Sequence, residues 1–159
     1  MKKNALVLIS AIVALSLLAG CGGSAKVRDD VDVGELSAAL AANIGGDGLA
    51  PVSDGYYAGA MKIDVTDFAG YDVKVNANNA DEIGVFKAGD AAGVADVKQA
   101  VETYIQMRKD TWMTEYMPEH RPKLDAAEIK TLGNYVMYAI LSDDAREAVF
   151  SAIEKQLTA

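Results

Sequence analysis

Cysteine is almost absent from this chain of 159 residues: Cys21 stands alone, so no disulfide can form within it and its stability must come from packing. Histidine is equally scarce. A serine triad would need His120 as its base, and no Gly-x-Ser-x-Gly elbow accompanies it. A zinc site would have to join His120 to Asp110, Glu115 or Glu119, but Pro118 breaks the helical register that could put the two glutamates on one face. Gly45-Gly46-Asp47-Gly48 lacks the Gly-Lys-Ser/Thr of a phosphate-binding loop and has no strand before it. Positive charge is the other shortage. Lysine and arginine number 15 against 23 acids, and beyond residue 20 the balance is 13 against 23, or -10. A field of that sign repels nucleic acid and anionic polymers, tolerates cationic partners and divalent cations, and serves solubility in any case. The carboxylates are numerous, but nothing in their spacing singles out two of them as an acid-base pair. No catalytic residue, metal site or cofactor is expected from these features.

What is present begins at the N-terminus. Lys2 and Lys3 precede an uncharged apolar run from Ala5 to Leu18, and Ala19 and Gly20 are the small residues a signal peptidase needs beside its cleavage point. The run is too short for a membrane-spanning helix, which takes about 20 apolar residues. Leu18-Ala19-Gly20-Cys21 resembles the lipobox of bacterial lipoproteins, which implies a diacylglycerylated Cys21 as the mature N-terminus, held stably at the bilayer by two acyl chains. The competing readings are an ordinary secretory signal followed by a free thiol, or a short buried helix. On the lipoprotein reading, residues 1–20 are a signal peptide, 21–30 a flexible tether and 31–159 one domain on the extracytoplasmic face of the cell membrane.

Within that domain, Asp32-Val33-Gly34-Glu35 reads as a capping box for a helix carrying Val33, Leu36, Leu40 and Ile44 on one face, stopped at Gly45-Gly46. Residues 51–70 are expected to hold one or two short helical turns. From Tyr71 the period changes to two, so Tyr71–Asn76 and Glu82–Ala88 are expected to pair as a hairpin around Asn78-Asn79-Ala80-Asp81. The longest helix is expected from about Ala92 to Tyr116, ended by Pro118, with Val94, Val97, Val101, Ile105 and Trp112 as its apolar stripe. His120 falls in a loop over 117–122. Ala127–Thr131 and Asn134–Leu141 form a second hairpin around Gly133, and Ser142-Asp143-Asp144 caps a final helix with Val149, Ala152 and Ile153 inward. Trp112, Tyr135 and Tyr138 thus read as core and sheet residues rather than as sugar-binding aromatics.

Two strand-to-helix units align at an offset of 52: Ile83, Val85, Phe86, Val97, Val101 and Ile105 fall on Tyr135, Met137, Tyr138, Val149, Ile153 and Leu157, with Asp90 on Ser142. A shared hairpin-plus-helix plan predicts an α+β fold: a four-stranded antiparallel sheet from two β-hairpins, helices packed on one face, and an N-terminal helix before them. The plainer reading is that any two strand-cap-helix units align this well.

Asp81-Glu82-Ile83-Gly84-Val85-Phe86-Lys87-Ala88, the helix bearing Arg108, Tyr116-Met117-Pro118 and Gly133-Asn134-Tyr135-Val136 together resemble a bacterial lipoprotein family, domain of unknown function 4358. The resemblance implies a lipoprotein with an α+β domain and brings no activity, substrate or catalytic residue. The expected function is therefore a membrane-anchored, non-enzymatic binding or interaction domain of the cell envelope. Its partners are the membrane through Cys21 and an unknown envelope protein or small ligand; the alternative is a small envelope hydrolase using carboxylates. Arg108 is the one anomaly, about 20° from the centre of its helix's apolar face. A guanidinium there needs a carboxylate or must extend its head to solvent, and Glu82, on the strand face of Phe86, is the candidate partner. A competing role for Arg108 is to grip an anionic ligand.

Overall fold

The computed structural model describes residues 26–44 and 48–158; Cys21, the signal-like segment and the glycines expected to stop the first helix lie outside them. The chain is α+β. Among the described residues five strands, β1 (Leu49–Pro51), β2 (Phe68–Asn76), β3 (Glu82–Ala88), β4 (Glu128–Leu132) and β5 (Tyr135–Ile140), form one antiparallel sheet in the order β1-β2-β3-β5-β4. Among the described residues five helices accompany it: α1 (Val33–Asn43), α2 (Asp54–Tyr56, continuing as a π-helical turn over Tyr57–Met61), α3 (Val94–Thr111), α4 (Arg121–Asp125) and α5 (Asp143–Leu157). The fifth strand corrects the expected four. β1 has only three residues and ends on Pro51, which has no N–H to donate and therefore suits a sheet edge. Its partner β2 begins at Phe68, three residues ahead of the alternation at Tyr71.

The expectation of helices on one face is also corrected, because they cover both. Val97, Val101, Tyr104 and Ile105 of α3 pack with Tyr57 and Met61 of the π turn and Leu124 of α4 on Phe86, Val136, Tyr138 and Ile140. Leu36 and Leu40 of α1 and Val149, Ile153 and Leu157 of α5 pack on the opposite side, against Ile83, Val85, Met137 and Ala139. β3 and β5 lie in the middle and are buried on both faces, which is why their sequences run almost continuously apolar instead of alternating.

This layering decides the status of the internal symmetry. Val85 pairs with Met137, its own counterpart at an offset of 52, so a two-fold axis normal to the sheet relates the hairpin β2-β3 to the hairpin β4-β5. Such an axis would leave both following helices on the same face, whereas α3 and α5 lie on opposite faces. The connections account for the difference: five residues separate β3 from α3 and two separate β5 from α5. Asp90 is accordingly no counterpart of Ser142. It accepts the N–H groups of Ala92 and Gly93 in a turn before α3, while Ser142 is the N-cap residue of α5.

At the N-terminal end, the chain is already seated on the domain inside the segment expected to be tether. Val27 packs beside Gly133, the Arg28 N–H donates to the Leu157 carbonyl at 2.7 Å, and Asp29 pairs with Lys87 at 3.4 Å. α3 ends at Thr111 rather than Tyr116, because Trp112 turns extended and its indole N–H reaches the Met117 carbonyl at 3.1 Å, closing a short loop. The loop expected over 117–122 holds a single 3-10 turn, Pro118–His120, and the start of α4.

Candidate functional site

Glu82 opens β3, and strand alternation points its side chain, with Gly84 and Phe86, toward α3. It is the one charged side chain fully buried among the described residues, at 0% exposure. Two tyrosines close over it. Tyr104, three residues after Val101 on the buried stripe of α3, donates its hydroxyl to Glu82 Oε1 at 2.6 Å. Tyr138, from β5, donates to the same oxygen. Tyr138 pairs with Gly84, and its ring lies flat on that residue: a Cβ there would sit 2.1 Å from Tyr138 Cε1. Gly84 is thus the position that lets the Tyr138 ring carry its hydroxyl to the carboxylate.

The structure brings Arg108 to the other carboxylate oxygen, with Nε 3.3 Å from Glu82 Oε2. That distance is ion-pair reach, yet the N–H does not aim at the oxygen, so neither Nε nor Oε2 has a hydrogen-bond partner. The contact is coulombic, which weakens with misalignment far less than a hydrogen bond does. The guanidinium lies 5.8 Å from the centre of the Trp112 ring, and a quarter of the Arg108 side chain stays in solvent, so the expected pairing and the expected extension to solvent coexist in one side chain. Tyr56 completes the group, its hydroxyl 3.4 Å from that of Tyr104.

Burial is the strongest influence on Glu82 and pushes its carboxyl above the ordinary range, although Arg108 and the two tyrosine hydroxyls pull the other way. Burial, then the Glu82 charge, pushes the Tyr104 and Tyr138 phenols far above their usual value, so both are permanent donors. Burial is also the largest influence on Arg108 and works against its charge, but Glu82 with Tyr104, Tyr56 and Tyr138 together outweigh it, and the guanidinium is held all the more firmly protonated. The arrangement can hold or release one proton at Glu82. It offers no nucleophile and no second carboxylate, and four surface grooves among the described residues are lined by other residues.

A family model, Domain of unknown function (DUF4358), matches residues 59–141, just over half of the chain. The chain belongs to this family. No curated protein matches it, and no solved structure does. The DUF4358 match takes in β2 to β5, α3 and α4, hence Glu82, Tyr104, Arg108, Trp112 and Tyr138; α1 and α5, which build the opposite helical layer, fall outside it. His120 joins none of this chemistry. It stands edge-on to Trp112 at 6.1 Å between ring centres, with Glu119 3.8 Å from its Nε2. No cluster of three or more metal-ligating side chains occurs among the described residues of the DUF4358 chain.

Sequence reasoning missed Tyr104 and Gly84. Both left a signal: Tyr104 falls on the same stripe as Val101 and Ile105, and a glycine in the middle of an apolar strand marks a close approach by a neighbour.

Proposed function

We infer that this DUF4358 chain is a lipid-anchored, non-enzymatic interaction domain on the extracytoplasmic face of the cell membrane, its mature form starting at the diacylglycerylated Cys21. The single observation that favours binding over hydrolysis is the closed, solitary carboxylate. Glycoside-type hydrolysis needs two carboxyl groups flanking an open cleft, one of them held protonated. Here one buried carboxylate is capped by two tyrosines and neutralised by one arginine. The cluster then serves the fold, pinning α3 to β3 and β5, and the contacts with other molecules are made on the surface.

Incorporation of labelled fatty acid and membrane fractionation test the anchor. Wild type is expected to take up label and sediment with membranes, and Cys21→Ser to lose both label and lipoprotein-type cleavage. Unlabelled wild-type protein recovered free in the medium would remove the anchor from the account.

A further inference from the structure

Among the described residues, four large apolar side chains stand exposed, and three fall within five positions of one another: Met113 at 64%, Tyr116 at 79% and Met117 at 37%. They crown the loop between α3 and α4. The loop is braced from inside. The Trp112 indole N–H reaches the Met117 carbonyl, the Thr114 N–H reaches the Trp112 carbonyl at 3.1 Å, the Tyr116 N–H reaches the Met113 carbonyl at 3.1 Å, and His120 stacks edge-on against Trp112. The backbone bonds satisfied within the loop free the three side chains to point away from the domain, in a geometry already ordered before any contact forms.

We propose that this tip is the docking surface of the domain, and that its occupant is a protein presenting a concave apolar pocket that receives Tyr116 between the two methionine thioethers. Tyrosine and methionine are among the residues enriched where protein partners meet, and a braced loop lowers the ordering cost of association. Three observations select this occupant. The first is charge: from Lys109 to Arg121, two cations meet three anions, close to balance in a chain that beyond residue 20 carries -10. An acidic partner meets little net repulsion from this segment, whereas an anionic bilayer would repel the domain as a whole.

The second is area. The three exposed residues offer roughly 400 Å² of surface in all, so two copies meeting tip to tip would bury roughly 800 Å², short of the roughly 1,200 Å² of a stable interface. A knob entering a pocket has no such shortfall, since its partner supplies the enclosing surface. The third is position. Residues 27–29 enter the domain beside Gly133 and Lys87, at the end where α3 begins, while the tip follows the end of α3 that reaches Glu82. The 18 residues of α3 separate the two by about 27 Å. The outward direction of the tip rests on the anchoring reading above; the tip as a contact surface does not.

The test uses the full chain at native expression, with Tyr116 replaced by the photoreactive p-benzoylphenylalanine and a control carrying the same probe at exposed Thr131, near the opposite end. The expected result is one discrete protein adduct from position 116, at least tenfold above the control. The captured protein, purified, should bind the wild-type chain and lose at least tenfold in affinity toward Tyr116→Ala or Met113→Asp, both of which keep the wild-type unfolding midpoint. Adducts to lipid alone, adducts to a second copy of the chain, no adduct above the control, or a captured protein indifferent to these substitutions would each overturn the proposal. The same crosslink in Cys21→Ser separates the two readings, since a tip adduct that survives loss of the anchor leaves the docking surface standing whatever fatty-acid labelling shows.

Discussion

Replacing Arg108 by alanine removes, among the described residues, the only cation paired with a carboxylate that has no solvent exposure. Stranding a buried charge costs about 3 to 5 kcal/mol, and the lower end applies here, because Oε1 keeps both tyrosine donors and the carboxyl can take up a proton instead of remaining charged. The pH dependence follows from the direction of the Glu82 displacement. Its folded-state carboxyl already titrates above the ordinary value of 4.5, so the proton binds more tightly in the folded chain. The stability linked to this group is fully present below about pH 4.5 and is lost as pH rises through the raised folded value. Arg108→Ala removes a force that holds that value down, so the loss extends to higher pH. Arg108→Ala is therefore expected to cost about 3 kcal/mol at pH 8. As pH falls through the raised folded value the carboxyl takes up its proton, so at pH 4.5 the cost should be smaller than at pH 8 and approach about 1 kcal/mol, the size of an ordinary surface ion pair. Urea unfolding at the two pH values measures both. Glu82→Gln combined with Arg108→Met, which removes charge from both partners, should recover most of the loss at pH 8. A cost under about 1 kcal/mol at pH 8, or one that does not change with pH, would refute the buried ion pair as a structural element.

Tyr138→Phe deletes one of the two hydroxyls on Oε1 and is expected to cost about 1.5 to 3 kcal/mol in the same assay, as a hydrogen bond to a charged group does. Gly84→Ala places a methyl against the Tyr138 ring and should destabilise by about 2 kcal/mol or more while changing the near-ultraviolet circular dichroism of the tyrosines; an unaltered unfolding midpoint would mean that the ring does not lie on that backbone. Amide exchange is expected to be slowest over 83–87 and 135–140, because those strands are covered on both faces. Slow exchange confined to the helices would contradict that arrangement.

Much of this fold can be read from spacing alone. Alternation marks β2, the three- and four-residue spacing of Val97, Val101 and Ile105 marks α3, and Arg108 on that stripe leads directly to Glu82. The two-sided burial was written there too, in the unbroken apolar runs of β3 and β5, but the similarity between the two units carries no information on the face each helix takes. That face depends on loops of five and two residues, whose geometry no periodicity encodes. β1 escapes because three residues carry no period, and the true end of α3 escapes because a side-chain hydrogen bond from Trp112 within the following loop, not Pro118, ends it. The tip at 113–117 escapes for the opposite reason: Trp112 invites an extension of the apolar stripe, while the loop it braces turns its neighbours outward.

The division of labour between a buried cluster that holds the fold and a tip that makes the contact is tested most directly by joining the two experiments. Photocrosslinking from position 116 is measured in the full chain carrying Glu82→Gln and Arg108→Met, after urea unfolding has verified that the variant is folded. The adduct yield is expected to equal that of the parent chain, since neither substituted residue belongs to the docking surface. A folded double variant that loses the adduct would place Glu82 and Arg108 in the binding chemistry and contradict the account.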